Sequence, residues 1–339
     1  MLTKAELRQA LRARGPAQEE LFAEARRLRD AAFGGTVLLR GVVETTNICR
    51  VDCDYCPMRR SNVAHNDRYQ MTADDIAERA RAVRDAGIDI LLLQGGETAR
   101  NAAVVESSLP ALRQVFDNRV EVLLNLGIMD RDRYRRLRDL GATSYILKHE
   151  TSDPRLHEAL RHEGLERRLR AITDLLGLGY RVGTGLISGL PGQSFDSVVE
   201  DIELAGRLGV HMCSVSPFVP APDTPLAVSR PGSLDLALNI VACLRIAHPT
   251  LLIPSVSAFE QAAHGGQSRG LAAGANVMTV NFSAEADRGR YLIYGRHRYV
   301  VRLAHVRRLV EAAGLQVGGS VFLDDMRRTD AAPPRGGRR

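Results

Sequence analysis

The amino-acid sequence predicts an α/β fold, a (β/α)8 barrel of the TIM type, on three features. Eight short runs of aliphatic and β-branched residues alternate with longer amphipathic segments along most of the 339 residues. The short runs are continuously apolar, as strands are when helices cover a parallel sheet. No stretch between them reads as a linker. An open doubly wound sheet shows the same alternation, and the count of eight favours the barrel.

In chain order, MLTKAELRQALRARG alternates charge and leucine like an exposed amphipathic helix, so residues 1–35 read as a helical extension. The barrel is expected over 36–320. Its strands are placed at 41–46, 88–94, 119–126, 143–148, 180–187, 211–217, 251–257 and 275–280. Helices are placed between them at 72–86, 101–116, 130–140, 164–178, 194–208 and 233–247. Thr72 with Asp75 three residues on is an N-cap signal for the first of these helices. Residues 321–339, rich in Pro, Gly and Arg, have the composition of a disordered basic tail.

The formal charge of +6 invites a nucleic-acid reading, but its distribution argues against one. Residues 327–339 hold five arginines against one aspartate, which leaves the rest of the chain close to balance. No Trp and only 5% aromatic residues leave few platforms on which bases could stack. Nothing approaches the roughly 20 apolar residues of a membrane span, and the N-terminus has no apolar core of a secretory signal. A cytoplasmic protein without nucleic-acid or membrane partners is expected.

Three of the five cysteines fall within eight residues, in TTNICRVDCDYCPMRRSN after the first strand. A disulfide framework would spread them, so the clustering points to metal in a reducing compartment. Cys49, Cys53 and Cys56, spaced C-x3-C-x2-C, lie on a loop at the C-terminal end of a strand, where barrel chemistry belongs. Three thiolates from one short loop can hold three corners of an iron–sulfur cube and leave the fourth iron open. A structural zinc site needs a fourth ligand, for which only His65 and Asp52 are near, and no second C-x2-C follows. Cys213 and Cys243 each sit alone in an apolar segment and read as inert core thiols.

These residues resemble the radical S-adenosylmethionine (SAM) superfamily. The branch is that of biotin synthase, methylornithine synthase and, most of all, the HydE-type maturase of iron-only hydrogenase. The resemblance runs from about residue 40 to 300 and includes YQMTADDI, LLLQGGE, LKHETSDPRLHEALR, GLISGLPGQS, SPFVPAPDTPLA and AGANVMTVNFS. It implies one [4Fe–4S] cluster and SAM, which chelates the open iron through its amino and carboxylate groups and is cleaved to a 5′-deoxyadenosyl radical. An external one-electron donor such as a ferredoxin or flavodoxin is implied with it.

By the same resemblance, Tyr55 packs near the adenine, and Gly95, Gly96 and Glu97 receive the SAM amino group. Glu150 meets the ammonium or ribose, Lys148 and Arg168 lie near the carboxylate, and Gly189, Pro191 and Phe218 form an adenine and ribose wall. Relatives usually have Arg where Lys148 stands, and a point charge is a less specific carboxylate partner than a planar fork. His149 and His211 lack partners at ligand spacing and read as core or pocket-lining. Biotin synthase carries a second cluster, whose ligand positions here are Leu123, Gly183 and the stretch 254–256, so a single-cluster enzyme is expected.

The expected lumen residues are Asn125, Thr184, Ser188, Ser255, Ser257, Thr279 and Asn281, with Tyr291 and Tyr294 near the top. Such a lining suits a small polar, amino-acid-derived substrate in a hydrogenase-maturase-like reaction. Another radical SAM reaction, such as amino-acid rearrangement or sulfur insertion, is the alternative. From a different class, a non-catalytic iron–sulfur scaffold would have no need of the SAM-binding rim.

Overall fold

Alternation of apolar runs with capped amphipathic helices becomes a curled parallel sheet wrapped by helices. A computed structural model describes residues 2–65, 67–295 and 297–323. The strands are β1 (Thr36–Thr46), β2 (Ile90–Gly95), β3 (Glu121–Asn125), β4 (Ala142–Ile146), β5 (Arg181–Ser188), β6 (Met212–Pro217), β7 (Val277–Asn281) and β8 (Gln316–Gly318). They run in the order β6-β5-β4-β3-β2-β1-β7, all pairs parallel, with β8 on β1 at Thr36–Leu38.

The run expected as a strand at 251–257 is not one. It makes single bridges, Leu252 to Met212 and Pro254 to Val277, and Ser257 already opens a short helix. Pro254 has no N–H to donate to a ladder, so a regular strand cannot pass through it. Its neighbours still join the two ends of the sheet: Cys213 N donates to Leu252 O (3.0 Å) and Ser255 N to Val277 O (2.9 Å). The result is a partial TIM-type barrel with one irregular stave. β8 was not foreseen, because QVG is largely exposed and has no apolar pattern.

The helices follow their caps. Thr72 accepts from Asp75 N at 3.2 Å while Asp75 accepts from Thr72 N at 2.8 Å, and the helix Ala73–Asp85 begins there. Thr98, Asp130, Ser194 and Ser233 cap the helices at Ala99–Val115, Arg131–Asp139, Phe195–Leu208 and Leu234–Ala247. The N-terminal segment corrects the expectation of exposure. It forms two helices, Lys4–Leu11 and Pro16–Phe33, and Leu7, Leu11 and Phe22 are buried in the main core. The expected tail falls almost wholly on residues 324–339, outside the described residues.

Inside the barrel, side chains alternate as the pleat requires. Leu38 and Val42 of β1, Leu92, Leu123, Met212, Leu252 and Val277 form an apolar inner cluster separate from the helix-facing core. That layer closes the lumen from below and leaves it open at the C-terminal ends of the strands.

Candidate functional site

At those strand ends lies a cavity of about 290 Å³. It gathers Cys49, Cys53, Cys56, Tyr55, Gly95, Gly96, Glu97, Lys148, Glu150, Arg168 and Phe218 from segments more than a hundred residues apart. Gly189 and Pro191 do not line it. Their turn is held by Gln193, whose side-chain oxygen accepts from Gly189 N at 2.7 Å, and it shapes the wall from behind.

The cysteine loop rests on β2. Gly96 lies so close under Ile48 that a Cβ there would sit 2.1 Å from the Ile48 carbonyl oxygen, so the close approach requires glycine. Arg50 N donates to Glu97 O at 3.0 Å, and Val51 N lies 3.4 Å from Cys49 Sγ. Cys53 is buried, while Cys49 and Cys56 are half-buried. Burial pushes all three thiols up, Cys53 to about 11, so metal binding here displaces protons.

Three sulfurs facing one cavity fit an iron–sulfur cube. Among the described residues, no three His, Cys, Asp or Glu side chains are placed to hold a single metal ion, the cysteines included. A structural zinc site needs a fourth ligand, and the two candidates near in sequence, His65 and Asp52, do not line this cavity. The thiols suit a larger group whose corners they reach separately.

Around the cysteines lies a ring of charge. Glu97 Oε1 accepts from Arg161 Nη2 at 3.1 Å and from Arg168 Nη2 at 3.2 Å, and Arg50 reaches the other oxygen at 3.4 Å. Burial alone would raise the Glu97 carboxyl, but Arg168, Arg161 and Arg50 outweigh it and bring it to about 2. Lys148 Nζ meets Glu150 Oε2 at 3.0 Å. Burial opposes ionisation of Glu150 as well, and Lys148, Arg161 and Arg168 again prevail and lower it.

Arg168 is engaged twice, by Glu97 and through Nε with Lys148 O at 2.6 Å. Lys148 is the more open cation at the rim.

Arg161 was not singled out from sequence. It is buried, donates to the Tyr55 phenol oxygen at 3.0 Å and to Glu97, and lines the same cavity as the cysteines. Its signal was available: Leu156, His157, Leu160 and Arg161 share one face of the helix Pro154–Arg161, so the arginine sits on the apolar side. Leu160, Ile187, Leu190 and Phe218 form a separate apolar cluster against which Tyr55 packs, and Tyr55, Ile187 and Phe218 of it line the cavity.

Deeper in the lumen, Asn125, Thr279 and Tyr294 line the cavity as expected, with Gln94, Ser214 and Ser216 added. Ser257 and Asn281 face an adjoining chamber of about 140 Å³ that shares Gln94, Thr279 and Tyr294. Tyr291 reaches Gln94 at 3.2 Å.

Thr184, Ser188 and Ser255 lie outside both linings. On β5 it is Gly183 and Gly185 that face inward, against Ile146, Met212, Ser214 and Lys148, so Thr184 points to the helices. Ser255 donates to Gln267 O at 2.8 Å. His211 accepts from Val182 N through Nδ1 at 3.2 Å, and His149 lies behind the sheet. Leu123 and Gly183 face the lumen, and neither offers a ligand for a second cluster.

Arg40 projects into this lumen from β1 and is 3% exposed. Its Nη2 lies 3.0 Å from Met212 Sδ, a weak acceptor, and its Nε has no partner among the described residues. Burial pulls its pKa down to about 10, with Glu121 opposing.

Residues 43–205 match the family model of the radical SAM superfamily. The [FeFe] hydrogenase maturase subunit HydE of Thermotoga maritima is 37% identical over 277 residues, 81% of this chain and 79% of that protein. The 3-methylornithine synthase of Methanosarcina acetivorans is 27% identical over 77% of this chain and 74% of its own. Among solved structures, methylornithine synthase (PylB) superposes with a TM-score of 0.84 over 97% of this chain and 96% of its own, at 24% identity.

Proposed function

This chain belongs to the radical SAM superfamily, and from that premise we propose a hydrogenase-maturase-like enzyme whose substrate is small, polar and derived from an amino acid. Its cofactors are one [4Fe–4S] cluster and SAM. Cys49, Cys53 and Cys56 would hold the cluster, which when bound and reduced would supply the electron for reductive cleavage of SAM.

The chain's own residues bind and orient. The backbone at Gly95 and Gly96, bare of side chains, lets the SAM amino group approach closely. Glu97, neutralised by three arginines, braces the cysteine loop. Glu150 takes the ammonium or ribose hydroxyls, and Lys148 takes the carboxylate as a point charge. Tyr55 and Phe218 bury the adenine. An external one-electron donor of the ferredoxin or flavodoxin type would reduce the cluster.

The observation that carries the substrate class is the lumen lining. Amides and hydroxyls from Gln94, Asn125, Ser214, Ser216 and Thr279 share the lining with a buried guanidinium, Arg40, whose Nε has no partner among the described residues. A group that contributes charge-assisted hydrogen bonds answers that arrangement, and a hydrocarbon chain does not. The absence of second-cluster ligands at Leu123 and Gly183 weighs against sulfur insertion.

The test is anaerobic reconstitution followed by dithionite and SAM with a panel of amino-acid-derived compounds. Release of 5′-deoxyadenosine that rises with one of them supports the reading. Product rising only with apolar acyl chains overturns the substrate class. No product from fully loaded protein favours a scaffold.

A further inference from the structure

Glu150, which faces the cavity beside Lys148, has a left-handed backbone at φ +66°, a conformation that side chains rarely adopt. Such a residue persists only where its surroundings over-determine it. Its own N donates to Gly185 O and its carbonyl accepts from Ile187 N, both at 2.9 Å.

Directly behind it, on the helix-facing side of the sheet, lie His149 and Asp201, each without solvent exposure. His149 Nε2 is 3.1 Å from Asp201 Oδ1, and the same oxygen accepts from Ser152 N at 2.5 Å. On the other ring nitrogen, His149 Nδ1 is 2.9 Å from Thr184 Oγ1, which also accepts from His149 N at 3.2 Å. Ser152 Oγ donates to Ser197 O at 2.9 Å, on the helix that carries Asp201.

These bonds bracket Glu150. The residue before it and the residue two after it are tied to one carboxylate on the helix Phe195–Leu208. An apolar filling of the same space would spare the desolvation of a buried polar pair, and Asp201 Oδ2 has no partner among the described residues. Direction is what the pair adds over an apolar filling: it fixes where the turn 148–152 points.

We propose that Asp201 and His149 are positioning residues. Together they hold the strained Glu150 turn so that Glu150 and Lys148 meet SAM. The inference rests on the reading of Glu150 as a SAM contact.

The test uses reconstituted holoenzyme. For Asp201→Asn, His149→Gln and Glu150→Gln, cluster content, the melting temperature, the SAM dissociation constant and the SAM-induced change in the EPR signal of the reduced cluster are measured. In Asp201→Asn the SAM dissociation constant is expected to rise about tenfold at unchanged cluster content. The KM for SAM should rise with it while kcat at saturating SAM stays within about twofold, and the EPR response should need more SAM to saturate.

A lowered melting temperature with unchanged SAM affinity makes the pair merely structural and overturns the proposal. Where Asp201→Asn does not fold, Thr184→Val removes one hydroxyl from the same network. It is expected to weaken SAM binding in the same direction by roughly threefold; unchanged affinity there also overturns the proposal. If Glu150→Gln leaves SAM affinity untouched, the assignment of Glu150 is what fails, and this inference falls with it.

Discussion

Glu97 and Arg161 meet at 3.1 Å in the wall of the barrel mouth, where Glu97 joins the cysteine loop to the rim through its backbone as well. The pair has a signed pH consequence. The folded Glu97 carboxyl, at about 2, lies below its ordinary value near 4.5, so its ionisation stabilises the fold fully above about pH 5. That stabilisation is lost as pH falls through the folded value. Unfolding free energies of the native chain and Glu97→Gln should differ most at neutral pH and converge toward pH 2, by roughly 3 kcal/mol. A constant difference from pH 7 to pH 3 would contradict this origin.

Gly96 makes a steric prediction. An alanine there places its Cβ 2.1 Å from Ile48 O and 2.9 Å from Cys49 Cβ, and neither backbone nor ligand can yield without moving the loop. Gly96→Ala should lower stability by about 1–3 kcal/mol and reduce bound iron. Gly289→Ala, where a Cβ meets nothing within 4 Å and the backbone is not left-handed, should do neither. Denaturant titration and iron analysis separate the two.

The cysteines divide into two kinds. Alanine at Cys49, Cys53 or Cys56 should abolish the four-iron spectrum and 5′-deoxyadenosine formation. Cys213 and Cys243, buried alone in the helix-facing core, should tolerate alanine with a loss of about 1–2 kcal/mol and full iron content. Iron loss in Cys213→Ala would break this division.

Much of this was legible because it is local. The C-x3-C-x2-C spacing, the capping box at Thr72 and the apolar runs of β2 and β3 each state their role within a few residues. What failed depended on the third dimension. Thr184 looked like a lumen hydroxyl, yet the barrel register turns its glycine neighbours inward and sends it to meet His149. The stretch 251–257 had the composition of a strand, and one missing N–H at Pro254 decided otherwise. Arg161 was hidden in a charged helix because its partners, Tyr55 and Glu97, lie 106 and 64 residues away. Arg40 passed unnoticed inside an apolar run, where only the inward pleat of β1 reveals it.

Arg40 gives the last prediction, because its effects on stability and on function should have opposite signs. A guanidinium 3% exposed, with its Nε unpartnered among the described residues and a thioether on Nη2, is costly to bury, and the charge of the buried Glu121 offsets only part of that cost. Arg40→Met keeps the stem's volume and removes the charge, so the variant should be as stable as the native chain or more stable by about 1–2 kcal/mol. The cluster and the SAM rim lie above this position, so reductive SAM cleavage without substrate should continue at the native rate. The increment in 5′-deoxyadenosine that substrate produces should be lost, because the cation that meets the substrate's polar end is gone. Thermal unfolding and substrate-dependent product formation check both halves. A variant that is less stable and still couples normally would make Arg40 a structural residue with no part in binding.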